Sequence, residues 1–257
     1  MSRTAPTYGR RGRQNAANTG IRHPAPTYGK AKIGTWSEKG NGHLNVDSEP
    51  ERFVAHLLTL DPRVSAFQPQ PFTVDLIDKR LLLTREALSA AVQKHRDVPG
   101  PKFYTPDFRI DWQDRLHHAI EVKAEGYEGD DVYWDKVERA RLILAANGYP
   151  LRTIVCPANS AHPIRMNARV LKQATHRVSG YLTDVLVERV TARCEQGSVT
   201  VSSLCQEMAL SPGMIPLFLV SGVLSADLAH CVVCGKLEVS AAYGDLSHLC
   251  LLEEMER

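Results

Sequence analysis

Two short apolar runs, Tyr104-Thr105-Pro106-Asp107-Phe108 and His118-Ala119-Ile120-Glu121-Val122-Lys123, hold charged side chains inside strand-like sequence. A carboxylate or ammonium in such a run carries a desolvation cost unless it is paired or metal-bound. The pattern therefore calls for two neighbouring strands whose charged positions meet on one side of a sheet. Glu121 and Lys123 stand two residues apart, so on a strand they share a face. Thirteen residues separate Asp107 from Glu121, enough for one strand, a turn and the start of the returning strand.

The flanking periodicities build a mixed α/β domain around this pair. A helix starts at Ser48, and from Phe53 to Leu60 it gathers Phe53, Val54, Leu57, Leu58 and Leu60 on one face. Asp61-Pro62-Arg63 stops it. Val64 to Val74 reads as extended, and the polar segment 75–99 carries a helical insertion around Arg85 to Gln93. Tyr104 to Ile110 and Leu116 to Lys123 are the two strands. Val132 to Asn147 is an amphipathic helix with Val137, Ala140, Ile143 and Leu144 as its buried stripe and Gly148 as its stop. Leu151 to Val155 reads as a buried strand. The succession strand–strand–helix–strand is that of a sheet with flanking helices.

Three sections follow from composition. Residues 1–44 form a basic arm, 45–164 the α/β domain, and 165–257 a mainly helical domain. The last has helices at Val178–Ala192, Ser202–Ala209 and Pro212–Ser221, then strand character in Leu224–Val239. Short helices followed by strands outline a helix-turn-helix or winged-helix module. Within the arm, residues 1–33 hold Arg3, Arg10, Arg11, Arg13, Arg22, Lys30 and Lys32 and no acid. Such a segment cannot bury enough apolar surface to fold alone, and it could neutralise phosphates or be only a solvated tail. Its unit Ala5-Pro6-Thr7-Tyr8-Gly9-Arg10 returns as Ala25-Pro26-Thr27-Tyr28-Gly29-Lys30.

Apolar residues at 43% and charged residues at 23% describe a globular chain and exclude a mainly disordered one. No apolar run approaches the roughly 20 residues of a membrane helix. No secretion signal is evident, so the expected location is the cytoplasm. The six cysteines show no even ladder of spacings, which argues for reduced thiols.

The chemistry these residues suit is hydrolysis assisted by a hard cation. Asp107 and Glu121, with the backbone carbonyl of Val122, form a sufficient protein contribution for Mg²⁺, which keeps several waters; Mn²⁺ is expected to substitute. Lys123 could orient the attacking water or offset charge on the phosphorane. Glu51 is a third carboxylate candidate. Its competing role is structural, because Ser48-Glu49-Pro50-Glu51 is also a capping box in which the glutamate reaches back to the Ser48 amide. Gln70 is a supporting candidate, for positioning the site or for holding a bend.

Asp47-Ser48-Glu49-Pro50-Glu51-Arg52-Phe53, Asp61-Pro62-Arg63-Val64, Gln70-Pro71, Tyr104-Thr105-Pro106-Asp107-Phe108 and Glu121-Val122-Lys123 occur in this order. Together they resemble the TnsA family, the endonuclease subunits of heteromeric cut-and-paste transposases within the PD-(D/E)xK restriction-like nucleases. The resemblance covers about 45–175, through the helix holding Lys136 and Ala140 and through Ile164-Arg165-Met166-Asn167. It implies a restriction-endonuclease-like mixed sheet and a winged-helix-like C-terminal domain. It also implies Glu51, Asp107, Glu121 and Lys123 as catalytic positions, with the three acids and the Val122 carbonyl holding Mg²⁺. Implied partners are double-stranded transposon-end DNA, a DDE-type transposase subunit and an AAA+ ATPase regulator. Two other readings use the same residues: a free-standing restriction-like or defence nuclease, and a non-catalytic winged-helix DNA-binding adaptor.

A last cluster is Cys231 and Cys234, in a Cys-x-x-Cys-Gly turn, with His248 and Cys250. These four could bind Zn²⁺, but the second half lacks the regular spacing of common zinc sites. Small thiols packed near the wing are the competing reading.

Overall fold

The computed structural model describes residues 33–127 and 129–257. The basic arm and its repeat fall in residues 1–32, outside the described residues. The expected arm ran to residue 44, and there the structure corrects it. Strands β1 (Ile33–Ser37) and β2 (Gly42–Val46) form an antiparallel hairpin. The turn uses Asn41 and Gly42, both at positive φ. Leu44 and Val46 are fully buried, so this segment belongs to the core.

Helix α1 (Glu49–Leu60) starts where Ser48 caps it by accepting the Glu51 N–H, and Pro50 occupies its first turn. Its apolar face packs on the main sheet. That sheet takes β3 (Val64–Pro69), β7 (Phe108–Trp112), β8 (His117–Ala124) and β9 (Leu151–Cys156), in the order β3-β7-β8-β9. The first two joins are antiparallel and β8–β9 is parallel. The parallel join needs a crossover, which α3 (Asp131–Ala146) supplies. Alternation along β8 sends Ile120 to the α1 side and Ala119 to the α3 side.

A second small sheet, β5-β4-β6, comprises β4 (Thr73–Asp75), β5 (Arg80–Leu82) and β6 (Phe103–Tyr104). The inserted helix α2 (Arg85–Lys94) is capped by Thr84. The strand expected over Tyr104–Ile110 is therefore two strands in two sheets. Thr105-Pro106-Asp107 forms the step between them, because Pro106 has no N–H for a ladder. The extended segment expected over Val64–Val74 breaks at Gln70, whose φ is 43°.

Beyond β9, α4 (Pro163–Thr175) spans the expected domain boundary and packs on both α1 and α8 (Ile215–Val220). The single helix expected over Val178–Ala192 is two, α5 (Val178–Tyr181) and α6 (Asp184–Cys194). Thr183 caps the second through the Leu186 N–H, which competes with helix continuation. Helix α7 (Val201–Met208) follows, and a 3₁₀ turn at Pro212–Met214 leads into α8. Strands β10 (Val199–Thr200), β11 (Leu224–Ser225) and β12 (Glu238–Ala241) form a three-stranded antiparallel sheet in the order β10-β12-β11. The strand expected across Leu224–Val239 is thus only its two ends. No single helix among the described residues is long and apolar enough to cross a membrane.

One apolar cluster runs from Leu44 and α1 through Ile164 and Leu171 to Phe218, Leu224 and Leu252, joining the two halves of the chain. Asn167 is its polar rivet. Buried on α4, it donates to the carbonyls of Leu228 (2.8 Å) and Cys231 (2.7 Å) and accepts the Val233 N–H (2.9 Å). Leucine there leaves three backbone groups without partners. Asn167→Leu is expected to lower the unfolding free energy by about 2–4 kcal/mol. Urea denaturation of the full chain checks this, and a loss below about 0.5 kcal/mol would place the anchor elsewhere.

Candidate active site

The β7–β8 register brings the sequence-predicted residues to one end of the main sheet. Asp107 lies one residue before β7 and is already stitched to β8. Its N–H donates to the Ile120 carbonyl (2.9 Å), and its carboxylate Oδ2 accepts the Val122 N–H (2.7 Å). Its own carbonyl accepts the Gln70 N–H (2.9 Å). The Val122 amide thus also enters the site, holding the Asp107 carboxylate. Glu121 and Lys123 emerge together on the α3 side, with Nζ 3.1 Å from Glu121 Oε1.

Glu51 approaches from the first turn of α1. Ser48 caps the helix through the Glu51 N–H, but the expected return bond from Glu51 to the Ser48 amide does not form. Glu51 Oε1 accepts the Ser48 hydroxyl (2.7 Å), while Oε2 accepts the Asp47 N–H (3.0 Å) rather than the Ser48 amide. The carboxyl is buried all the same. Burial raises its pKa above the ordinary range against these hydrogen bonds, and the charges of Asp47 and Glu121 add to the rise. Asp107 is raised further, first by burial and then by Glu121 and Glu51, against the Val122 amide and Lys123. The charges of Glu121 and Glu51 thus reach Asp107, with Lys123 acting the other way; the oxygens of the three acids do not gather within 4.8 Å of one another, as the ligand atoms of Asp75, Asp78 and His95 do.

Sequence reasoning missed three contributors. Tyr104 donates its hydroxyl to Glu121 Oε2 (2.6 Å), and Tyr133 from α3 donates to Oε1. The Tyr133 ring in turn faces two ammonium groups, Lys123 at 3.6 Å and Lys136 at 4.6 Å from its centroid. Burial and Glu121 push both phenols well above their ordinary pKa, so they remain donors. Asp47 is the third. It accepts from Gln70 Nε2 (2.7 Å), tying the β3 bend to the segment that holds Glu51. Gln70, expected either to position the site or to hold a bend, turns the chain with its positive φ and donates its side chain to Asp47. A signal existed for Tyr104, which immediately precedes the Thr-Pro-Asp step. Tyr133 has none, because its place depends on how α3 crosses the sheet.

Other clusters lie apart from these residues. Asp75, Asp78 and His95 present ligand atoms within 4.8 Å of one another and could hold a metal ion. His95 Nε2 is 3.0 Å from Asp75 Oδ2 and 3.6 Å from Asp78 Oδ2. Two cations already face this group, Lys94 at 2.5 Å and Arg80 at 3.6 Å from Asp78 Oδ2, so it is also a complete ion-pair network pinning α2 to the β4–β5 turn. The four candidate zinc ligands of the sequence are not gathered into a metal group among the described residues. His248 Nε2 meets the Leu219 carbonyl (3.0 Å), Cys250 faces Asp61, and Cys231 and Cys234 are exposed. Among the described residues no Cys/His metal group forms. All six cysteines are free thiols. A groove lined by Arg63, Trp112, Leu116, His118 and Arg152 opens at the far end of β7 and β8, away from the carboxylates.

Compared with known proteins, the chain is matched by no protein-family model and by no curated protein.

The raised carboxyls fix the sign of a pH effect. A carboxyl whose pKa is higher in the folded chain favours folding most below its unfolded value, near 4, and that advantage is lost as pH climbs toward the folded value. Asn at 107 keeps the acceptor for the Val122 amide and removes the charge. Asp107→Asn is therefore expected to raise the melting temperature at neutral pH in a chelator, by a margin that shrinks toward pH 4. Thermal melts across pH 4–8 test this, and a lower melting temperature at pH 7 would contradict it.

Proposed function

We propose that the chain is a divalent-metal-dependent DNA endonuclease, the nuclease subunit of a TnsA-like cut-and-paste transposase, acting in the cytoplasm on the 5′ ends of the element. The geometry that supports the hydrolytic reading is the Asp107 carboxylate stitched to the Val122 amide, Lys123 beside Glu121 and Glu51 entering from the first turn of α1, at one end of a mixed sheet. The transposon reading rests on the ordered resemblance over 45–175. A restriction-endonuclease-like sheet fits the order β3-β7-β8-β9 with α1 and α3 against it, and a winged-helix-like module fits α6, α7, α8 and the β10-β12-β11 sheet.

A hard cation suits this donor set. Oxygen ligands dominate, and the repulsion that raises Asp107 and Glu51 is the kind a divalent ion relieves. Bound Mg²⁺ supplies Lewis acidity at the phosphate and a more acidic water. The residues do the rest. Glu51, Asp107 and Glu121 would hold the ion, while the Val122 amide fixes the Asp107 carboxylate. Tyr104 and Tyr133 orient Glu121. Lys123, held beside Glu121 and over the Tyr133 ring, offers its ammonium to the nucleophile or to the charge developing on phosphorus. The partners in this reading are double-stranded transposon ends, a DDE-type transposase that cuts and joins the 3′ ends, and an AAA+ regulator.

The test is 5′-end cleavage of transposon-end DNA with Mg²⁺ and the partner transposase. Asp107→Ala and Lys123→Ala are each expected to lower the rate by about 100-fold or more; undiminished cleavage rejects the assignment. Efficient cutting by the chain without a transposase supports the free-standing nuclease instead. Tyr104→Phe is expected to weaken Mg²⁺ affinity by about 10–100-fold, read as a rightward shift of the metal titration.

A further inference from the structure

From Pro157 to Thr183 the sequence contains no Asp or Glu, yet it carries Arg165, Arg169, Lys172 and Arg177. Helix α4 lies inside this stretch. Arg165, Arg169, Lys172 and, just past its end, His176 fall within about 60° of the helix circumference at 100° per residue. The opposite side buries Ile164, Asn167, Leu171 and Ala174. The stripe is thus the flank of α4 beside α1, with Arg169 and His176 exposed and Arg165 and Lys172 half-buried, on a helix whose inward face is fixed in the core.

Neighbouring elements bring further basic groups to it. On α1, Arg52 and His56 share a face one turn apart, and His56 is pushed down to about 4 by burial and then by Lys172, Arg52 and Arg169. On the β1–β2 hairpin, Trp36 meets His176 edge-on with ring centroids 4.8 Å apart. Arg165 lies 5.8 Å from the Phe53 ring and donates to the Pro157 carbonyl (2.7 Å). The stripe therefore begins beside the first turn of α1, where Glu51 sits, and runs away from it toward Trp36. Compensation is sparse. Arg52 pairs with Glu49, Glu38 acts on His176 at the far end, and Arg169 and Lys172 form no salt bridge among the described residues.

We propose that this face, Arg52 with Arg165, Arg169 and Lys172, is a track for the phosphates of one strand of duplex DNA leading into the carboxylate site. The proposal rests on the nuclease reading for its destination, though not for its binding chemistry. Like charges gathered on one face repel one another, and an anion of matching repeat relieves that repulsion. Arg165 to Lys172 spans about 10 Å of helix axis at 1.5 Å per residue. Along a duplex that length carries about three phosphates per strand at 3.4 Å each. The three side chains are thus matched in number to the phosphates beside them.

The experiment measures binding of a fluorescent 30-base-pair duplex by the full chain over a KCl series, in EDTA so that nothing is cut. Arg169→Ala and Lys172→Ala are each expected to reduce the slope of log affinity against log salt by about 1, and the triple variant with Arg165→Ala by about 2–3. Arg169→Lys is expected to keep the slope. Arg139→Ala, on α3 across the sheet, serves as the control and leaves it unchanged. Should the triple variant fold poorly, Arg169→Gln with Lys172→Gln takes its place, since neither side chain forms a salt bridge among the described residues. An unchanged slope in these variants, or an equal fall in the Arg139 control, overturns the track. Intact cleavage with an unchanged slope removes only the track. Absent cleavage with the expected slope changes removes only the nuclease.

Discussion

The Asp107 junction is the constraint on which the site depends. One residue joins three pieces of backbone: its amide reaches Ile120, its carboxylate catches Val122, and its carbonyl holds Gln70 at the end of β3. A proline beside it stops the ladder, so the chain can pass from the small sheet to the main one. Because β8 is paired to both β7 and β9, fixing Asp107 against Val122 also fixes where Glu121 and Lys123 emerge. A slip of one residue in this register would send both to the opposite face.

Around that junction the electrostatics are deliberately unequal. Glu121 receives two phenolic hydroxyls and an ammonium, whereas Glu51 and Asp107 receive mainly backbone amides and one another's repulsion. Buried carboxyls that repel each other are costly unless something positive shares the space. Two ammonium groups, Lys123 and Lys136, stand over the Tyr133 ring beside the set. In the Asp75–Asp78–His95 cluster, Arg80 and Lys94 face the Asp78 carboxylate directly.

Helix α4 links this chemistry to the rest of the molecule. Its inward face carries Asn167 into the C-terminal helices, and its flank toward α1 carries the basic stripe. The same helix therefore fixes the C-terminal domain against the sheet and sets the charge that a polyanion would meet on its way to the carboxylates. The hairpin over residues 33–46 closes the other side of α1, and the end of the chain returns to β9, where the Arg257 amide donates to the Thr153 carbonyl.

The amino-acid sequence determined the local elements wherever a single signal decided them. Ser48 with Pro50 started α1, the Val137–Leu144 stripe made α3, and Glu121-Val122-Lys123 put an acid and an amine on one face of a strand. Those choices depend on spacing and on backbone hydrogen bonding between near neighbours, which a sequence displays directly. Tertiary structure alone decided the remainder. It split Tyr104–Ile110 between two sheets and drew residues 33–44 into the core. It brought Tyr133 over Lys123 and turned His248 and Cys250 toward different partners. These outcomes come from contacts between segments far apart in the chain, whose worth depends on the angles at which helices cross the sheet, and no local pattern encodes those angles.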